Sequence, residues 1–397
     1  MTKWFWTSVL ILMLATAGLA GCGGNSNGVG GTGSGGTGSG GSGQATVKVI
    51  DVFANDLAWD DSRQQIYLSV SSFAKSNANS IEILNPATGS SSEALVVGSY
   101  PDLLSISAND QFLYVGLDDA SEVVQLSLPA FKIANTFALA NDQLLGVSAG
   151  PGFALDIQAA RDSDGTVAID TGYPDTLPTA SGGVVIYDNG VARPSALCGG
   201  SVCGPYGNVF DSILWGPDDT VMYTADGETD SWDFFSVPVD SQGFGALTDY
   251  FGVTPWSRRI HYDTVTNYIY DDNGEVINPS TGSVVATFND PTAGSIVSSF
   301  ITTSRMIPDG TLGLAYFIGQ TKEQSNTASY TVETFDINLF TPVSTLIISN
   351  VIGRPTRLIR WGTNGLAFAS SGVNPDGSSD GQVYVIEGPF VTGSKSH

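Results

Sequence analysis

The sequence predicts an all-β fold, a seven-bladed β-propeller closed by its own N-terminal strand. Three observations carry this expectation. Strand-like runs reach a turn seven times, at Leu57–Asp60, Ile106–Asn109, Ile157–Ala160, Ile213–Gly216, Ile260–Asp263, Met306–Asp309 and Ile359–Gly362. With Trp59, Ala108, Ala159, Trp215, Tyr262, Ile307 and Trp361 as anchors, the units are 49, 51, 56, 47, 45 and 54 residues apart. Six to eight residues after most anchors comes an aromatic-bearing strand, as in Gln65–Leu68, Phe112–Val115, Val221–Thr224, Tyr268–Tyr270 and Leu366–Phe368. Short alternating strands, four per unit, mark propeller blades: one sheet cannot bury both of its faces, but several arranged radially can. No amphipathic stretch of helical length competes with them.

In chain order, residues 1–21 read as a signal peptide. One cation, Lys3, precedes an apolar run from Val9 to Ala17 and then Leu19-Ala20-Gly21-Cys22. That run is too short for a membrane span, which needs about 20 apolar residues. The Leu-Ala-Gly-Cys sequence resembles the bacterial lipobox, which implies that Cys22 is acylated, as by palmitate, and begins the mature chain. Gly23 stands where an aspartate would resemble an inner-membrane retention signal, so the expected place is the outer membrane or cell surface. Residues 22–43 are almost all Gly, Ser, Thr and Asn, without apolar area to offset ordering, and read as a flexible tether with a reach of about 25 Å.

Residues 44–397 form the propeller domain. A third strand and tight turn recur, as in Ile81–Gly89 and Glu275–Gly282. The last unit offers Leu358–Trp361, Leu366–Ala369 and Gln382–Glu387 but lacks a convincing fourth strand, and Thr46–Asp51 is spare. Pairing the two ends completes the seventh blade. The segments Asn109–Gly116, Gly182–Gly190 and Ile359–Phe368 give the chain a resemblance, over roughly residues 50–390, to bacterial secreted propellers with YVTN-type repeats. The resemblance implies the fold and leaves function open, because fold alone does not set activity.

Net charge is −24, with 15 Lys and Arg against 39 Asp and Glu. A nucleic-acid partner needs a cationic footprint and is not expected; the membrane would be met through the lipid anchor only. Cys198 and Cys203, in Cys-Gly-Gly-Ser-Val-Cys, are expected to pair in an exported protein, bracing a local loop. Histidine is nearly absent: His397 is terminal and His261 lies within a strand, so a Ser–His–Asp triad, a three-histidine zinc site or a haem ligand has at most one candidate, and His261 is read as a packed strand residue. No catalytic or metal-ligating residue is assigned. Asp162–Gly165, Asp271–Gly274 and Asn374–Gly377 resemble pieces of calcium loops without the full ligand ladder and are read as tight turns, with Ca2+ as the one cofactor to consider.

If each blade runs A-B-C-D outward, the B–C and D–A connections share one rim. The B–C loops are expected to be long in five blades: Ser71–Ser80, Asp170–Gly182, Asp226–Trp232, Gly319–Tyr330 and Ser371–Gly381. Length on one face is a functional hint. Six arginines, Arg258, Arg259, Arg305, Arg354, Arg357 and Arg360, lie in or before the innermost strands of blades five to seven. Arg258, Arg305, Arg357 and Arg360 are candidates for a basic patch at the channel entrance that holds an anionic group; the alternative is pairing between blades, since Asp211 stands in blade four where Arg258 stands in blade five. The leading expectation is a non-enzymatic cell-envelope lipoprotein that binds an envelope protein, or a small anionic or saccharide ligand, on the long-loop rim. The rival is a lactonase-like or metal-dependent hydrolase working in the central funnel.

Overall fold

A computed structural model describes residues 45–139, 152–173, 180–197, 210, 212–226, 232–254, 259–288, 306–324, 327–373 and 378–393, all within one compact unit, Thr37–His397. The described chain opens with β1 (Thr46–Ile50). Blade 1 is β2 (Ala54–Asp60), β3 (Gln65–Val70), β4 (Ser80–Asn85) and β5 (Ser90–Val96). Blade 2 is β6 (Pro101–Ile106), β7 (Phe112–Leu117), β8 (Glu122–Ser127) and β9 (Lys132–Ala138). Blade 3 is β10 (Phe153–Ala159), β11 (Thr166–Tyr173), β12 (Ala180–Asp188) and β13 (Val191–Ala192). Blade 4 is β14 (Ser212–Trp215), β15 (Val221–Ala225) and β16 (Phe234–Asp240), edged by β17 (Gly243–Phe244) and β18 (Thr248–Tyr250). Blade 5 is β19 (Ile260–Asp263), β20 (Tyr268–Asp271), β21 (Glu275–Asn278) and β22 (Ser283–Thr287). Blade 6 is β23 (Met306–Asp309), β24 (Leu314–Gln324), β25 (Thr327–Asp336) and β26 (Thr341–Ile352). Blade 7 is β27 (Arg354–Trp361), β28 (Gly365–Val373) and β29 (Ser379–Glu387), followed by the one-turn helix α1 (Pro389–Thr392).

Within each sheet the strands pair antiparallel in chain order, and β1 supplies the missing strand of blade 7. It runs against β29 from Thr46 opposite Glu387 to Ile50 opposite Val383, as the spare N-terminal strand predicted. Innermost strands touch their neighbours in sequence, and β2 touches β27, so the ring is closed.

The core is divided among the blade junctions. Seven apolar clusters each draw on two adjacent blades, including one between blades 7 and 1 that joins Leu57 and Leu68 to Trp361 and Val385. The recurring aromatic of the second strand fills these junctions. Tyr67, Tyr114, Tyr270 and Tyr316 are fully enclosed, and each hydroxyl reaches a partner near the A–B turns: Asp60 Oδ2, the Asp164 carbonyl, Thr266 Oγ1 and the Val391 carbonyl. An aromatic body with a polar tip suits a site that is apolar within and wet at its end.

Three of the five predicted B–C loops are corrected, 170–182 because β11 runs to Tyr173 and β12 starts at Ala180. Gly319–Tyr330 is mostly strand: β24 runs to Gln324 and β25 starts at Thr327, paired from Gln324 opposite Thr327 downward. Ser371–Gly381 is likewise narrowed, with Val373 opposite Ser379. These stretches are polar in sequence and carry no apolar alternation, yet their backbones continue the ladder. Ser71–Ser80 is a loop as expected, while the centres of 170–182 and 226–232 lie outside the described residues.

A chain beginning at Asp51 loses β1 and exposes the edge of β29, and its urea midpoint should fall well below that of the intact protein. Lys48→Ala, which removes only a 2.6 Å ion pair to Glu387 with side chains 23% and 28% exposed, should change stability by less than about 1 kcal/mol. Equal losses would show that the salt bridge, rather than ladder and packing, closes the ring.

Candidate functional site

Register fixes what the innermost strands present. One buried apolar residue of each, Leu57, Leu104, Ile157, Ile213, Ile260, Met306 and Leu358, packs back against the preceding blade. Side chains alternate along a strand, so the residue before it points the other way. Those positions hold Asp56, Leu103, Asp156, Ser212, Arg259 and Arg357 in blades 1, 2, 3, 4, 5 and 7.

An innermost strand has no ladder partner on its channel side, and an N–H enclosed there must find an acceptor. Asp56 and Asp156 supply one. The Leu104 N–H of blade 2 donates to Asp56 Oδ2 at 2.8 Å, and the Ile213 N–H of blade 4 donates to Asp156 Oδ2 at 2.9 Å. Each carboxylate also accepts from its own chain, from Leu57 N–H at 2.8 Å and Ile157 N–H at 2.9 Å. Ser212 Oγ accepts the Ile260 N–H of blade 5 more loosely, at 3.4 Å.

Both carboxylates are 1% exposed, and a buried charge needs a counter-charge. Arg357 of blade 7 donates to Asp56 Oδ2 at 2.6 Å. Arg259, just before blade 5, reaches past blade 4 to Asp156 Oδ1 at 2.8 Å. Desolvation holds the Asp56 carboxyl above its ordinary value, while Arg357 and the two N–H groups pull the other way. Desolvation also opposes the charge on Arg259, but Asp156, Asp56 and Asp272 outweigh it and raise its pKa.

A second acidic element adjoins this one. Asp102, in β6, and Asp118, just after β7, are half-buried. Burial, then the charge of Asp56, pushes Asp102 up to about 6; burial, then the charge and contact of Asp102, pushes Asp118 up to about 8. Between blades 1 and 2, Tyr100 donates its N–H to Ser72 Oγ at 3.0 Å and Asn79 Oδ1 at 3.2 Å. Its ring meets Phe73 edge-on at 6.0 Å, and Phe73 is 60% exposed on the B–C rim.

Of the four arginines of the predicted patch, Arg357 and Arg360 are described, and each meets a carboxylate of a neighbouring blade. Arg357 sits midway along β27. Arg360, three residues on, faces the opposite way and belongs to the A–B rim, where it donates to Asp309 Oδ2 at 2.9 Å, to the Gly365 carbonyl and to the Thr363 carbonyl at 3.2 Å. Its guanidinium also lies 5.4 Å from the centre of the Tyr316 ring. Arg258, Arg305, Asp211, Cys22, Cys198 and Cys203 lie outside the described residues. His261 lies in β19 with Nε2 3.4 Å from Asp272 Oδ1. In the Asp271–Gly274 segment, Asp271 Oδ1 accepts the N–H groups of Asn273 and Glu275, which is a side-chain-closed turn. Among the described residues no group of three or more His, Cys, Asp or Glu is arranged to hold a metal ion.

Sequence reasoning missed Asp56, Asp156, Asp102 and Asp118. A signal existed for two of them: Asp56, Asp156, Ser212 and Arg259 all stand three residues before an anchor.

Arg357→Ala should destabilise the fold by about 3 kcal/mol, because it strands a buried carboxylate. Asp56→Ala strands two N–H groups and an arginine. The double variant should cost clearly less than the two single losses together, and additive losses in urea unfolding would show that the pair is not coupled.

No family model matches the chain. No curated protein matches it either. Among solved structures it is similar to U3-55K, at 11% sequence identity and a TM-score of 0.54, covering 86% of this chain and 98% of that one. Likeness at that identity concerns the fold alone, and it agrees with the seven closed sheets: the chain is a seven-bladed β-propeller.

Proposed function

We propose that this chain is a lipid-anchored protein of the bacterial cell envelope whose propeller binds a protein partner on the rim formed by the B–C and D–A connections. The observation that carries the reading is the unequal relief of the two rims. On the B–C side the hairpins of blades 6 and 7 project past the ring, and Phe73, Val96, Phe251 and Val373 are 60%, 67%, 77% and 74% exposed. On the other side the C–D turns have two to four residues, and adjacent blades are stapled by Arg63 to the Asp110 carbonyl and by Arg360 to Asp309.

The direction of β1 supports the same face. Its first residue, Thr46, stands opposite Glu387 at the A–B end of blade 7, so the glycine-rich spacer joins the domain at the rim remote from the projecting hairpins. Leu19-Ala20-Gly21-Cys22 supports the anchor and Gly23 supports the outer membrane. The YVTN-like repeats support an exported protein. A protein is favoured over a small anion because Arg357 and Arg360 already hold carboxylates.

Photo-crosslinking residues placed at Phe73 and Val373, tested in native envelopes, should trap a specific partner. The same residues at Val265 and Leu339, exposed on the opposite rim, should not. Adducts only from the second pair would move the binding face. Cys22→Ser should release the protein from the membrane fraction; a variant that stays bound would remove the lipid anchor from the reading.

A further inference from the structure

We propose that Arg161 and Tyr262 form a carboxylate-binding site on the A–B rim, where a ligand supplies the counter-charge that the fold withholds. Arg161 stands in the A–B turn of blade 3, just past β10. Its side chain crosses the end of blade 4, where Nε donates to the Trp215 carbonyl at 3.3 Å. Its guanidinium lies over the Tyr262 ring of blade 5, 5.3 Å from the ring centre. One side chain thus touches two blades beyond its own.

What sets Arg161 apart is the partner it lacks. Arg63, Arg193, Arg259, Arg357 and Arg360 each meet a carboxylate at 2.6 to 2.9 Å, and Arg354 is exposed. Arg161 is half-buried, and among the described residues neither Nη1 nor Nη2 donates to any group. All seven A–B turns belong to the described residues. A partly enclosed charge calls for a counter-charge. Burial lowers the pKa of this guanidinium, against the pull of Tyr262, Asp219 and Asp162.

The nearby acids are committed elsewhere. Asp219 Oδ1 accepts the backbone N–H of Arg161 itself at 2.7 Å and that of Asp162 at 3.1 Å. Asp263, next to Tyr262, accepts the N–H groups of Val265, Thr266 and Gly310. Asp218 accepts the Thr220 N–H at 2.9 Å. Each of these carboxylates holds backbone donors in place, and turning one onto the guanidinium would strand them.

The free groups define the ligand. Nε is used by the Trp215 carbonyl and one face is covered by the Tyr262 ring, which leaves Nη1 and Nη2 as the open edge. A carboxylate matches that fork with two parallel hydrogen bonds. A phosphate dianion would bring a second charge beside Asp162 and Asp219, in a chain of net charge −24. The singly charged group is therefore favoured. A small acid and the C-terminus of a peptide share this chemistry, and the test separates them. The site lies on the rim opposite Phe73 and Val373, so it stands or falls apart from the partner proposed there.

The test follows the Nε–H cross-peak of Arg161 in the full chain, isotope-labelled at arginine and assigned by the peak missing from Arg161→Lys. Exchanging chloride for acetate at constant ionic strength should move that peak to saturation, and acetamide should leave it in place. The same exchange should raise the melting midpoint of the intact protein more than that of Arg161→Gln. Trialanine with a free C-terminus should bind as well, and its C-terminal amide should not. Saturation by trialanine at about a tenth of the acetate concentration would name a peptide terminus as the ligand, and equal concentrations a small acid. A shift that stays linear in acetate, an equal response to acetamide, or equal midpoint gains in Arg161→Gln would overturn the site. If Arg161→Gln does not fold, Arg161→Lys keeps the charge without the fork, and an undiminished midpoint gain there overturns the site equally.

Discussion

Every blade is an antiparallel sheet with two apolar faces, and that commits the chain to a closed ring. A sheet with one wet face could stop anywhere; these cannot. Leu57 faces blade 7 and Tyr67 faces blade 2, so blade 1 has no side to spare. The last junction must therefore be built from both ends of the chain. β1 completes the ladder of blade 7, and Phe390 and Val391 of α1 enter the cluster between blades 6 and 7. At about 25 cal/mol per Å2 of apolar area, seven such junctions are the main source of stability, and an open one would forfeit a large share of it.

Closure creates the polar problem at the centre. Bringing innermost strands together encloses N–H groups that no ladder satisfies, and Asp56 and Asp156 accept them from the next blade. Those carboxylates are then buried charges, which call for Arg357 and Arg259. Burial leads to orphan donors, donors to carboxylates, and carboxylates to guanidinium groups. In a chain with only 15 basic residues, this sequence of demands accounts for arginines in the late blades opposite acids in the early ones. Fork-shaped, permanently charged guanidinium suits such enclosed pairs better than a lysine ammonium does.

The architecture was legible because the units repeat: Trp59, Trp215, Tyr262 and Trp361 all fall in innermost strands, and Tyr67, Tyr114, Tyr223 and Tyr270 in second strands. The spare strand before Trp59 found its place for the same reason. Much of the centre was not legible. Arg357 and Arg360 look alike in sequence, yet three residues along a strand give them different partners, Asp56 of blade 1 and Asp309 of blade 6. Asp102 and Asp118 are 16 residues apart, and Asp102 falls where β6 slips register against β7. Polarity misled in blade 6, where Gln-Thr-Lys-Glu-Gln suggested a loop. Alternation reports burial, and the ladder there runs on through residues that do not alternate.

What lets that hairpin stand is a contact between glycines. β26 passes into β27 through Gly353 alone, held at φ 70, where a side chain is strained. A Cβ there would strike the Ser371 carbonyl and the Gly372 nitrogen of β28, so only glycine lets the two backbones lie this close. Tyr330 donates its hydroxyl to the Gly353 carbonyl at 3.2 Å, and the Ile352 N–H donates to the Tyr384 hydroxyl at 3.2 Å. Ile348 and Val351 are buried with Tyr384 and Phe368 in one cluster. The projections of blades 6 and 7 are thus braced against each other as one shoulder on the rim. Where the sequence would lead one to expect mobile loops, the rim carries a fixed relief, which can present exposed side chains such as Val373 and Ile347 without first ordering them.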